Sequence, residues 1–452
     1  MKKGWVYVAL MFLFVTATAF IIIRSANKQR KEEAVARELL PRKTALAYTV
    51  EWAVVKNNAE VLLNKIKKNP ADIKSLVALT AIYLQEARIT GNHKYYNKAA
   101  LENINSVLKK DVNNFEALIC KATIQLSQHQ FEEAYKTARQ ARQLYPYNAS
   151  VYGLLVDATI ELGKYKEALQ AADKMVSIRP DIRSYSRIAY LREIHGDIPG
   201  AVEAMQLAID AGAPGDENTE WCRVQLGKLN EKTGKTMDAK MHYTIAADNR
   251  KNYPYALAGL AGIAAQEKDF AKALLLYQQA DSLIPDHTFK EGIAEMYALT
   301  GQTEKSKAVA DEILNYMKQF SSDADHNKAT EQNEDYEMAH ACMGAGDYDK
   351  ALEYALKEYN RRPANIEVNE TVAIVYYGKG DYAKALPYIE KALKTNCKNP
   401  ELLAHAGLIY SKTGKAKQAE MFLQEAMKNK PVISQSLQEE CEEVLKTMNG
   451  NK

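Results

Sequence analysis

Gly346-Asp347-Tyr348 with Ala351 and Pro363, then Gly380-Asp381-Tyr382 with Ala385 and Ala392, then Gly414 with Ala419, Ala426 and Pro431: one pattern is written almost three times, its glycines 34 residues apart. A fixed period of this size marks small supersecondary units stacked in a row, not a globular enzyme. The frame extends backwards through the chain. Taking the turn glycine as reference, the equivalent positions are His129, Gly163, Gly196, Gly234, Lys268, Gly301, Gly346, Gly380 and Gly414. Five residues later stands alanine in eight of the nine, with Ser306 the exception. Seven residues earlier stands a small residue such as Ala122, Ala189, Gly227, Ala261, Ala373 or Gly407, and seventeen later stands Pro146, Pro180, Pro285, Pro363 or Pro431.

These positions have one physical reading. Two antiparallel helices approach closely only where small side chains lie at their crossing, and the two small positions fall on the facing sides of a pair. Glycine turns the chain between them, and proline stops the second helix. The expected fold is therefore all-α, a solenoid of about ten antiparallel helix pairs. Two stretches break the period. The spacing is 38 residues between Gly196 and Gly234, where Ala211-Gly212-Ala213-Pro214-Gly215 reads as a loop, and 45 between Gly301 and Gly346. The second surplus falls at residues 320–335, expected to be a solvated acidic loop around His326.

Charge and chemistry exclude several classes. Sixty basic against 57 acidic residues give a formal +3, so no general affinity for nucleic acid is expected. Five scattered cysteines, Cys120, Cys222, Cys342, Cys397 and Cys441, lack the spacing of a zinc site or a disulfide framework. They read as small apolar residues of helix interiors. No catalytic motif is present, and Gly234-Lys235-Thr236 lacks the earlier glycine of a phosphate loop because position 229 is Leu229. No enzymatic activity, cofactor or metal is expected.

The chain divides into five parts. Residues 4–23 form an uncharged run long enough to span a bilayer. It reads as a transmembrane signal-anchor in residues 1–23, with a cleaved signal peptide as the competing reading, since Ala17-Thr18-Ala19 resembles a cleavage site. Basic residues after the run, Arg24 to Arg37, favour a cytoplasmic domain by the positive-inside rule; the short basic start followed by an apolar run favours export. Export to the periplasmic side of a bacterial inner membrane is the expectation. Residues 24–43 read as a charged helical stalk, 44–70 as an irregular first helix pair, 71–431 as the array, and 432–452 as a capping helix and tail.

In these positions the chain resembles the tetratricopeptide repeat family, across residues 71–431. Tyr83-Leu84-Gln85-Glu86-Ala87-Arg88, residues 184–196 and residues 255–261 further resemble a bacterial subfamily of exported or membrane-tethered members with no defined activity. The resemblance implies a right-handed superhelix whose first helices line a concave groove that binds protein segments. Carried onto this chain, the inward positions give a basic and aromatic cluster of Arg183, Arg187, Tyr190, Trp221 and Tyr255, suited to an extended peptide or a carboxylate. The clamp by which some relatives grip a chaperone's terminal carboxylate is not matched, since Ile119, Thr123 and Leu154 occupy its positions. The expected function is a membrane-tethered scaffold for a protein or peptide partner. A permanently docked accessory subunit of an envelope machine is the alternative, and a saccharide or small-ligand module a third.

Overall fold

Gly-Asp at the centre of a unit, as at Gly346-Asp347, does two separate jobs. In the computed structural model, which describes residues 36–322 and 333–450, the glycine holds a left-handed conformation, φ +76° at Gly346 and +75° at Gly380. The aspartate then caps the next helix, as where the Lys350 amide donates to the Asp347 carboxylate at 3.2 Å. Asparagine caps the first helices in the same way: Ala117, Ser150, Val368 and Glu401 donate their amides to Asn114, Asn148, Asn365 and Asn399. His129 and Lys268 occupy the left-handed turn position without being glycine, at φ 57° and 63°.

Among the described residues the chain is helical, with no strand. After α1 (Val50–Lys68) come ten antiparallel pairs. The first five are α2 (Ile73–Thr90) with α3 (His93–Lys110), α4 (Phe115–Ser127) with α5 (Phe131–Leu144), α6 (Ala149–Glu161) with α7 (Tyr165–Ile178), α8 (Ile182–Ile194) with α9 (Ile198–Asp210), and α10 (Glu217–Glu231) with α11 (Thr236–Asn249). The next five are α12 (Pro254–Gln266) with α13 (Phe270–Leu283), α14 (His287–Leu299) with α15 (Thr303–Ser322), α16 (Asp335–Gly344) with α17 (Tyr348–Arg361), α18 (Ile366–Gly378) with α19 (Tyr382–Ala392), and α20 (Pro400–Lys412) with α21 (Ala416–Met427). α22 (Gln435–Gly450) closes the end, laying Leu437, Cys441 and Val444 on Leu403, Leu408 and Leu423 of the tenth pair. The small positions sit where the helices cross: Ala351, Ala385 and Ala419 are fully buried, and a Cβ on Gly407 would fall 2.5 Å from Leu423. All five cysteines are buried.

The superhelix turns once in six units, and its turns touch. The central loop of unit n meets the loop entering unit n + 6 four times in succession, and the fifth central loop meets the segment between the tenth pair and α22. Gly91 abuts Pro285; His129 Nδ1 lies 2.7 Å from the Asn333 carbonyl; Gly163 faces Ala364; Gly196 faces Asn396; and Gly234 faces Asn429. At the centre of this seam the Ile366 amide donates to the Tyr165 hydroxyl at 2.8 Å, and Asn365 Nδ2 donates to the Glu161 carbonyl at 3.1 Å. Arg362 pairs with Glu161 and Glu358 and lies 4.7 Å over the Phe131 ring. One apolar core, including Ile160, Ile194, Ile366 and Cys397, runs through both turns. The open concave groove that the repeat implied is therefore the interior of a closed two-turn coil.

Two boundaries differ from expectation. Residues 36–43, the described part of the segment read as a helical stalk, are extended, because their backbone is held by side chains of the first unit and Pro41 forbids a helix there. Residues 44–70 hold a short 3-10 turn, Thr44–Tyr48, and the single helix α1 in place of a helix pair. At the long spacing, α15 continues to Ser322, so part of the surplus is helix; residues 323–332, with His326, lie outside the described residues. The same holds for residues 4–23. Among the described residues no helix is long and apolar enough to cross a membrane.

Candidate partner-binding site

The first helix of each pair turns one stripe to the inside of the coil. On α10 that stripe is Glu217, Trp221, Lys228 and Lys232, spaced by four, seven and four residues. Its two ends fix where it points. Glu217 pairs at 2.6 Å with Arg88, which comes across the interior from the first unit, and Lys232 pairs at 2.6 Å with Glu193 on α8. Trp221 and Lys228 lie between these anchors and face the interior. Trp221 keeps 40% of its surface exposed.

Of the five residues the sequence singled out, the structure leaves two free to meet a partner. Arg187 is fully engaged: it forks onto Asp157 at 2.6 and 2.8 Å and donates to the carbonyls of Gly153 and Arg183. Burial works against its charge, yet the Asp157 carboxylate more than offsets this and raises its pKa. Tyr190 spends its hydroxyl on Glu367, 3.0 Å away in the second turn, and so fastens the coil. Tyr255 packs between Tyr253 and Phe289, at ring distances of 5.6 and 5.8 Å. Arg183 and Trp221 stand at equivalent points of the adjacent helices α8 and α10, both exposed. Arg183 has no carboxylate within ion-pair distance among the described residues; burial and the neighbouring Arg179 and Arg187 lower its pKa.

Lys228 is the inward residue that the sequence reading passed over. It stands seven residues after Trp221 on the same stripe, which was the available signal. Among the described residues no acid pairs with it, and burial followed by the nearby Lys232 lowers its pKa. Arg183, Trp221 and Lys228 thus supply an exposed indole and two cations with no ion-pair partner among the described residues.

Acidic side chains gather on later units. Glu291 and Glu295 on α14 and Glu401 on α20 have carboxyl pKa values raised first by burial, and Glu367 on α18 behaves likewise. His405 on α20 holds Glu370 at 2.9 Å, whereas His340 on α16 bonds to Thr371 and is pushed down to about 4 by burial. Carboxyls that burial biases toward the neutral form thus gather on the seventh, ninth and tenth units, while Arg183 and Lys228 stand on the fourth and fifth.

Three models described as tetratricopeptide repeat match the sequence: one over residues 125–193, one over 224–288, and one twice, over 367–396 and 400–432. No curated protein matches the chain. Solved structures to which it is similar include a tetratricopeptide repeat protein from Parabacteroides merdae, at 18% identity and a TM-score of 0.34, covering 59% of this chain and 98% of that one. Another is the APC/C hetero-tetramer Cut9-Hcn1, at 13% identity and a TM-score of 0.38, covering 94% of this chain and 74% of that chain.

Proposed function

Because the chain is a tetratricopeptide repeat protein, we propose that it works as an interaction scaffold whose inner face takes an extended, carboxylate-bearing segment of a partner protein. The observation that carries this reading is exposed Trp221 together with two exposed cations, Arg183 and Lys228, that have no ion-pair partner among the described residues. Aromatic surface gives contact area at small entropic cost, and arginine adds a planar fork for a carboxylate. The test is a peptide library passed over the full chain. Acidic peptides are expected to be enriched, and the Arg183→Ala, Lys228→Ala double variant is expected to lose that enrichment with its helix content unchanged. Enrichment indifferent to the double variant would remove these residues from the site.

The tether belongs to the same proposal. Residues 4–23 would hold the scaffold at a bacterial inner membrane with the coil on the periplasmic side, the cytoplasmic side and release after signal cleavage being the other outcomes. A reporter fused after Lys452 and assayed on both sides of the membrane separates the three. One observation favours a second reading, a subunit docked permanently by its outside: Met237, Met241 and Leu275 stay 76%, 50% and 54% exposed on the outer helices α11 and α13. A stoichiometric complex that survives high salt and is lost on Met241→Glu would support that reading.

A further inference from the structure

The first unit already holds an extended peptide, and the peptide is its own chain. Residues 36–43 form no helix or strand, and tyrosines of α2 and α3 bond the backbone of Arg37, Glu38 and Leu40. Tyr83 donates its hydroxyl to the Arg37 carbonyl, Tyr95 donates to the Glu38 carbonyl at 2.7 Å, and the Leu40 amide donates to Tyr96 at 3.1 Å. Two arginine forks flank this ladder. Arg37 meets Glu102 at 2.7 and 2.8 Å, and Arg42 meets Glu86 at 2.6 and 2.9 Å, with both side chains of the second pair fully buried. Recognition of main chain by hydroxyls and of arginine by carboxylates is how a separate extended ligand is held.

The same segment reaches the next turn of the coil. Leu46 is buried against Ala280, Ile284 and Phe289, in the cluster that Tyr255 also touches. Just beyond it Glu51 pairs with Arg250 at 2.8 Å. We propose that the first unit is a binding site for an extended segment with two arginines five residues apart, and that residues 36–48 fill it as a clasp. Seated, the clasp fastens the first unit to the sixth and seventh units; displaced, it frees both the site and the packing beneath Tyr255. That this admits a partner rests on the inner-face reading above, whereas occupancy of the site by the clasp does not.

The test uses the full chain and a fluorescent peptide of residues 36–48. In the unaltered chain the tethered segment outcompetes the peptide, through its high effective concentration. The Arg37→Ala, Leu46→Ala variant weakens the clasp and leaves Tyr83, Glu86, Tyr95, Tyr96 and Glu102 in place. The peptide is expected to bind this variant at least about ten-fold more tightly than the unaltered chain, and to lose binding when both its arginines become alanine. Equal affinity for the two chains, binding indifferent to the arginines, or no binding to a folded variant would overturn the proposal. If the variant does not fold, hydrogen exchange on the unaltered chain decides. Residues 37–48 and 280–289 exchanging together, ahead of α2, support the clasp; exchange of either only with the whole coil, or of one without the other, refutes it. Loss of peptide-library enrichment on the inner face would leave both readouts standing.

Discussion

Arg183 and Arg187 sit one helical turn apart and have different fates, and only the structure separates them. Arg187→Ala removes two hydrogen bonds to Asp157 from a half-buried pair, so it is expected to lower stability by about 1 to 2 kcal/mol. Arg183→Ala, with no acid to lose, is expected to leave the melting temperature unchanged. Equal effects in thermal unfolding would contradict the assignment. The sequence could place both on one inward face, because helical spacing is local; it could not show that Asp157, thirty residues earlier, claims only one of them. Glu161 offers a second test at this scale. Burial, then Glu367, pushes its carboxyl up to about 7 from an ordinary 4.5, with Arg362 opposing. The fold thus keeps a proton that the unfolded chain releases first. The stability this contributes is full below about pH 4.5 and is lost as the pH rises through about 7. Against the parent, Glu161→Gln is therefore expected to gain in relative melting temperature across that window; a difference constant with pH would contradict it.

Among elements, the turn glycines separate the demands of the repeat from those of the coil. Gly163 and Gly380 have nearly the same left-handed backbone, φ +70° and +75°. A Cβ at Gly163 would fall 2.3 Å from the Ala364 carbonyl carbon, whereas one at Gly380 would meet nothing within 4 Å. Alanine at either site costs the left-handed strain, about 1 to 2 kcal/mol. At Gly163 the collision with the second turn adds about 1 to 3 kcal/mol. Equal destabilisation of the two variants in chemical denaturation would mean that the turns do not touch. The helix pairs themselves were legible, since glycine, alanine and proline recur at fixed offsets dictated by a local crossing. The clasp was not. Residues 36–43 carry no period, and the tyrosines that hold them lie more than forty residues downstream, so charge composition alone suggested a solvated helix.

For the whole molecule, the sequence foretold a superhelix but not its closure. The contacts that close it join residues about 200 apart, such as Tyr165 with Ile366 at 2.8 Å, and they fall on no fixed residue type, as Pro285, Ala364 and Asn396 show, so they leave no period of their own in the sequence. Closure changes the candidate site from a concave groove to an enclosed interior, and it turns Tyr190 from a ligand contact into a fastener between turns. It also gives the clasp something to hold. The most direct test is pulsed electron paramagnetic resonance on the full chain, with spin labels at Pro199, beside the fourth central loop, and Lys398, which lies against Gly196 from the second turn. The native cysteines are buried and stay unlabelled. The closed coil predicts a single narrow distribution at the short end of the measurable range. A long or broad distribution, with the fourth unit and the entry to the tenth separated by solvent, would contradict it.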